Sequence, residues 1–130
     1  MRLLQRMFIL GLASFSMLAL ADAPTAKIAP DQLAERIEKQ DPNLVILDVR
    51  TPEEFAAGHV PGARNIPHDQ LPNRIAEITG SKDKDVVVYC RTGRRAAIAE
   101  ETLSSNGFKR LLHLDGDIIK WQEEKRTLEK

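Results

Sequence analysis

Apolar runs and helix-patterned segments alternate along this chain, and no other feature narrows its fold as far. LVILDV at 44–49 and DVVVYC at 85–90 are nearly continuous apolar stretches, the pattern of strands covered on both faces. LLHL at 111–114 is a third run, and residues 63–66 form a short fourth. Helical spacing fills the gaps. After Pro30, Leu33 and Ile37 share one face. Thr51-Pro52-Glu53-Glu54 reads as a helix start, with Thr51 as cap, Pro52 in first position and Glu54 closing a capping box. Gly58 keeps that helix short. Leu71, Ile75 and Ile78 lie on one stripe, stopped by Gly80. Residues 95–105 predict a helix with Ala96, Ala99 and Leu103 on one side, and 118–129 predict a last helix carrying Trp121. Its tail, KWQEEKRTLEK, reads as a solvated helical face. Strands separated by helices of this length predict an α/β layer fold with a mainly parallel sheet. In such sheets, ligands bind beyond the carboxyl ends of the strands.

The first residues read differently. MRLLQRM is basic, FILGLASFSMLAL is uncharged, and Ala19-Leu20-Ala21 is a small-x-small cleavage site. These are the parts of a secretory signal peptide. A retained membrane anchor is the alternative, but the apolar run is shorter than the ~20 residues a spanning helix needs. The expected organisation is therefore a cleaved signal peptide at 1–21, a flexible leader at 22–26 and one domain at 27–130. No membrane span is expected after cleavage, and the expected location is periplasmic or secreted. Of 19 basic residues, Arg2 and Arg6 precede the cut, and all 19 acidic residues follow it. The remainder carries 17 − 19 = −2 charges with histidines neutral. That balance argues against a general nucleic-acid binder, whose footprint is basic.

Cys90 is the one cysteine in the sequence. In an oxidising compartment a thiol with no partner in its own chain is an intermolecular link or a reactive group. It also excludes a multi-cysteine zinc site. Cys90 ends a strand and is followed by Arg91, Thr92, Gly93, Arg94 and Arg95. An ordinary thiol is mostly protonated at neutral pH, whereas a helix N-terminus or nearby cations favour the thiolate. Gly93 permits a tight loop with φ above zero, successive N–H groups in such a turn form an anion nest, and guanidiniums suit an oxyanion. A buried cysteine beside solvated arginines is the alternative.

LDVRTPEEFAAGHVPGARNIP (47–67), VVVYCRTGRRA (86–96) and LDGDIIKW (114–121) resemble, in order and spacing, the three signature segments of single-domain rhodaneses, the thiosulfate:cyanide sulfurtransferases. The resemblance covers about residues 27–124. It implies a small rhodanese-like domain with a five-stranded, mainly parallel sheet flanked by helices. It also implies that Cys90 becomes a persulfide, that residues 90–95 wrap its sulfur, and that Arg91, Arg94 and Arg95 bind the donor's anionic end. Asp48 matches a structural hydrogen-bonder and Arg50 a candidate pocket residue. The implied partners are a small-molecule sulfur donor and a cyanide or thiol acceptor, with a protein acceptor as a variant, and no cofactor or metal is required. Gly116-Asp117 stands where the family often has Gly-Gly, and Asp117 is expected to cap the last helix. A non-catalytic binding module and a protein-to-protein sulfur carrier are alternatives. Phosphatases and arsenate reductases of related fold use Cys-x5-Arg, whereas here x5 falls on Ala96 and arginine on x4, Arg95. That shorter loop argues against a full tetrahedral oxyanion.

The remaining candidates read as structural. His59 is expected in a structural hydrogen bond, with a pairing to Cys90 left open. His113 is expected as a core histidine, His68 as solvent-facing and Trp121 as core packing. Isolated histidines do not make a zinc site.

Overall fold

The computed structural model describes residues 24–130, so the expected signal peptide lies outside the described residues. The elements in chain order are β1 (Ala26–Ile28), α1 (Pro30–Glu38), β2 (Leu44–Asp48), α2 (Pro52–Ala57), β3 (Arg64–Asn65), α3 (Leu71–Arg74), β4 (Asp85–Tyr89), α4 (Arg94–Ser105), β5 (Leu111–Leu114) and α5 (Asp117–Glu123). Five strands form one sheet in the order β1-β5-β4-β2-β3, and every pairing in it is parallel. Among the described residues, no helix is long and apolar enough to cross a membrane.

Side-chain alternation along the central strand divides the core. Val86, Val88 and Cys90 point to one face, where they pack with Leu71, Ala96, Ala99, Leu103 and Phe108 from the α3–α4 side. Val87 and Tyr89 point to the other, against Leu33 of α1 and Ile118 and Trp121 of α5. Both faces of β4 are covered, which is why its sequence reads as a continuous apolar run.

Local sequence explains most of the boundaries. The Thr51 hydroxyl accepts the Glu54 N–H at 3.2 Å, and the Thr51 N–H donates back to Glu54 at 3.3 Å. The expected capping box is therefore formed. The stripe of Leu71, Ile75 and Ile78 is built differently from expectation. α3 ends after one turn, and two 3-10 turns at Ile75–Glu77 and Thr79–Ser81 carry the chain on. Leu71 and Ile78 are still buried.

Two expectations are corrected at the sheet's margins. β1 begins at Ala26, inside the stretch read as leader, and pairs with Leu112–Leu114 of β5. The last helix stops at Glu123 instead of running to 129. Beyond it the chain folds back, because the buried Trp121 indole N–H needs an acceptor and finds the Thr127 carbonyl at 2.9 Å. Leu128 packs against the α1–α5 core, and Glu129 forms an antiparallel bridge with His59. The polar tail is a strap over the domain and not a solvated helical face.

Candidate active site

The carboxyl ends of three adjacent strands, β2, β4 and β5, bring the candidate residues together. Cys90 follows β4, Asp48 ends β2 with Arg50 two residues on, and Asp117 follows β5 by a short turn.

Cys90 is buried at 1% exposure. Its sulfur accepts the Gly93 N–H at 3.0 Å. That bond requires the chain to double back within three residues, and Gly93 does so at φ +114°, a conformation that disfavours any Cβ. Among the described residues, no acceptor pairs with the N–H groups of Arg91, Thr92, Arg94 or Arg95. α4 starts at Arg94, so the positive end of its dipole adds to these amides. One loop amide thus reaches the sulfur, and four further N–H groups of the same loop stay open to an anion.

The three arginines separate into two kinds. Arg91 and Arg94 are exposed and, among the described residues, enter no ion pair. Arg95 is committed. Its guanidinium makes two hydrogen bonds to the Glu54 carboxylate, at 2.6 and 3.0 Å. The Glu54 bond holds the Arg95 pKa above its ordinary value, with a further contribution from Cys90 beside it. Thus α2 anchors the first turn of α4, through the same Glu54 that closes the capping box. Nothing in the sequence marks that pair, since its members are 41 residues apart.

The Arg95 bond lowers the Glu54 pKa from 4.5 to about 2, against the opposing effect of burial. A folded value below the unfolded one stabilises the fold above about pH 4.5 and ceases to do so as pH falls toward 2. Both side chains are part-exposed, at 30% and 26%, so solvent screening limits the pair to about 1 kcal/mol or less. Glu54→Gln is therefore expected to lower the urea-unfolding free energy by up to about that amount at pH 6 and by nothing measurable at pH 2. An equal deficit at both values would contradict the assignment.

Arg50 does not extend to the thiol loop. Its guanidinium binds both oxygens of Asp48, at 2.6 to 3.0 Å, donates to the Gly58 carbonyl at 2.8 Å, and lies 5.7 Å from the Tyr89 ring centre. Asp48 and Arg50 are 0% and 5% exposed. This pair fixes the segment after β2, and burial together with Asp48 raises the Tyr89 phenol pKa.

The histidines are placed by their partners. His59 stacks flat on Phe55, with ring centres 3.7 Å apart, and its Nδ1 lies 2.9 Å from the Phe55 carbonyl. His68 is half-buried. His113 departs from expectation: it is not surrounded by core hydrocarbon but bridges two carboxylates, with Nδ1 2.7 Å from Glu100 and Nε2 3.0 Å from Asp117. Those bonds, Asp117 first, raise its pKa from 6.5 to about 10. Asp117 also departs from expectation. It makes no cap hydrogen bond to α5; its carboxylate turns back and accepts the Cys90 N–H at 3.0 Å. Sequence spacing gave no hint of Glu100. Gly116-Asp117 and the polar His113 within LLHL are the cluster's signals in the sequence.

No group of three or more metal-ligating side chains is arranged to hold an ion among the described residues. A groove between β1, β5 and α4 is lined by Lys27, Gly93, Glu100, Lys109 and His113 among others. Cys90 is not among the residues that line it.

Residues 29–124 match the rhodanese-like domain family. An Allochromatium vinosum sulfurtransferase is 39% identical over 95 residues, covering 73% of this chain and 86% of that protein. YqhL of Bacillus subtilis is 45% identical over 76 residues, covering 58% of this chain and 59% of its own length. A solved structure of a rhodanese-related protein from Thermoplasma volcanium superposes with a TM-score of 0.69 at 31% identity, covering 80% of this chain and 97% of that one. These likenesses support a role in sulfur transfer. With its all-parallel five-stranded sheet and match over residues 29–124, the chain belongs to the rhodanese-like domain family.

Proposed function

We propose that this protein is an exported sulfurtransferase that moves a sulfane sulfur from thiosulfate to cyanide or a thiol through a persulfide on Cys90. The observation that carries the reading is the loop itself. One sulfur receives the Gly93 N–H at 3.0 Å, in a loop whose other N–H groups have no acceptor among the described residues.

In the first half-reaction, the Cys90 thiolate attacks the outer sulfur of thiosulfate. An S–S bond forms to Cys90, and the bond to the sulfonate sulfur breaks. Sulfite dianion leaves with that bond's electron pair. Charge is conserved, since a thiolate and a dianion become a persulfide anion and a dianion. The loop amides stabilise the terminal sulfur, as fixed donors stabilise developing charge in other sites. In the second half-reaction, cyanide or a thiolate takes that sulfur, and Cys90 returns as thiolate. Dividing one transfer into two displacements is covalent catalysis. The cysteine carries the group, and the chemistry calls for no cofactor.

Arg91 and Arg94 are the cations available to the sulfonate, because Arg95 is occupied by Glu54. Arg91→Ala and Arg94→Ala are each expected to raise the thiosulfate KM by about ten-fold, or about 1.4 kcal/mol, while the cyanide half-reaction is unaffected. Steady-state kinetics test both points. Parallel double-reciprocal lines for thiosulfate and cyanide are expected, and intersecting lines would contradict the persulfide route.

Export is part of the proposal. Its support is the basic start, apolar run and small-x-small site before Asp22. Amino-terminal sequencing of protein recovered from the native host is expected to begin at Asp22; a chain still carrying residues 1–21 would overturn it.

A further inference from the structure

The turn after β5 holds Cys90 by both polar atoms of its backbone. The Cys90 N–H donates to Asp117 Oδ1 at 3.0 Å, and the Cys90 carbonyl accepts the Ile118 N–H at 3.1 Å. The other oxygen of the same carboxylate lies against the sulfur loop. A Cβ placed on Gly93, the residue whose N–H binds the sulfur, would stand 3.2 Å from Asp117 Oδ2 and 3.7 Å from His113 Nε2. One carboxylate therefore touches the nucleophile's peptide and underlies the residue that cradles the nucleophile's sulfur.

That carboxylate is itself held. His113 Nε2 lies 3.0 Å from Asp117 Oδ2, and Nδ1 lies 2.7 Å from Glu100 Oε2. The two carboxylates raise the ring's pKa to about 10, and the imidazolium this favours donates from both nitrogens. Asp117 and Glu100 are 3% and 7% exposed, so both carboxylates rely chiefly on protein partners. The charged groups facing His113 are Asp117 from α5, Glu100 from α4, Asp115 in the turn after β5 and Lys27, its register partner on β1. Lys27 is mostly exposed and directed toward Asp115 at 3.9 Å.

Backbone strain marks the same residue. Asp117 has φ +55°, which costs a residue with a Cβ about 1 kcal/mol. Glycine would adopt that angle freely. What the aspartate adds is its carboxylate.

We propose that Asp117 is a positioning residue for sulfur transfer: its carboxylate orients the Cys90 peptide, and so the thiol within its amide nest, while His113 and Glu100 hold that carboxylate in place. The inference rests on the persulfide reading above. Misplacing a reacting atom by about 1 Å can cost about a hundred-fold in rate, whereas anion capture by Arg91 and Arg94 lies outside this contact.

The test is single-turnover loading of Cys90 by thiosulfate in the intact protein, with rates normalised to folded fraction. Asp117→Ala is expected to slow loading by about a hundred-fold, with half-saturating thiosulfate changed by less than about two-fold. Asp117→Asn keeps an acceptor oxygen for the Cys90 N–H and is expected to recover at least about ten-fold of that loss. His113→Gln should fall between the two. Loading rates within about two-fold of wild type in all three variants, accompanied by lowered melting temperatures, would overturn the proposal and leave the cluster a stability device.

An independent readout uses the unmodified protein. Nitrogen-15 spectra at pH 7.5 are expected to show both His113 ring nitrogens protonated, and the Cys90 amide resonance should move in Asp117→Asn. A neutral ring, or an unmoved amide, would overturn the assignment. Should wild-type protein take up no sulfur, the functional reading fails, while these two spectra still decide whether Asp117 positions Cys90.

Discussion

Replacing Cys90 by serine is expected to cut sulfur transfer from thiosulfate by at least about a thousand-fold. The alcohol is a far weaker nucleophile at neutral pH, and it cannot carry a sulfane sulfur as a stable anion. The fold should survive. The site accommodates a side chain of that size, and the Gly93 N–H retains an acceptor, so the cost is about 1–2 kcal/mol. The two effects separate cleanly: circular dichroism should remain native and the melting temperature should fall by no more than about 15 °C, while turnover disappears. Turnover at a tenth of the wild-type rate or more would mean that another group carries the sulfur.

The second large effect concerns stability. Arg50→Ala is expected to destabilise the domain by about 3–5 kcal/mol. Asp48 is completely buried, and Arg50 supplies three side-chain hydrogen bonds to its carboxylate. Removing the guanidinium leaves a buried charge with no cationic partner, only neutral ones in the residue-50 backbone N–H and the Tyr89 phenol, and also strips the Gly58 carbonyl of its partner. Domains of this size are stable by about 5–15 kcal/mol, so the melting temperature should fall by about 15–30 °C. The reading of Arg50 as a pocket residue predicts the reverse pattern, with weakened thiosulfate use and near-normal stability. Replacing both partners together, as Asp48→Leu with Arg50→Met, should recover much of the loss, because paired buried charges contribute little net stability over hydrocarbon of similar volume. Thermal melts of the single and double variants decide the matter.

The parts of this fold that were legible in the sequence are those set by neighbours in the chain. The runs at 44–49 and 85–90 declare buried strands, Thr51 through Glu54 declare a capped helix, and Cys90 through Arg95 declare a loop that leads into a helix. The parts that were not legible depend on distant partners. β1 is a three-residue edge strand in which only Ile28 is buried, too little pattern to register as a strand. The end of α5 follows from an indole seeking the Thr127 carbonyl and from Leu128 joining the core, whereas the tail's charge pattern alone favours a helix. His113 in LLHL looks like one polar residue in an apolar strand; its role emerges only when Glu100 and Asp117 arrive from two different helices. The same holds for the arginines. Three adjacent guanidiniums read alike in sequence, and only the pairing with Glu54 distinguishes Arg95.

The central claim is that sulfur travels on Cys90. Intact-mass spectrometry tests it most directly, on protein lacking residues 1–21. Thiosulfate alone should add one sulfur atom, about 32 Da, to the whole population, and cyanide should return the mass to its starting value. An unchanged mass after thiosulfate, or a mass increase that persists in Cys90→Ser, would contradict the account.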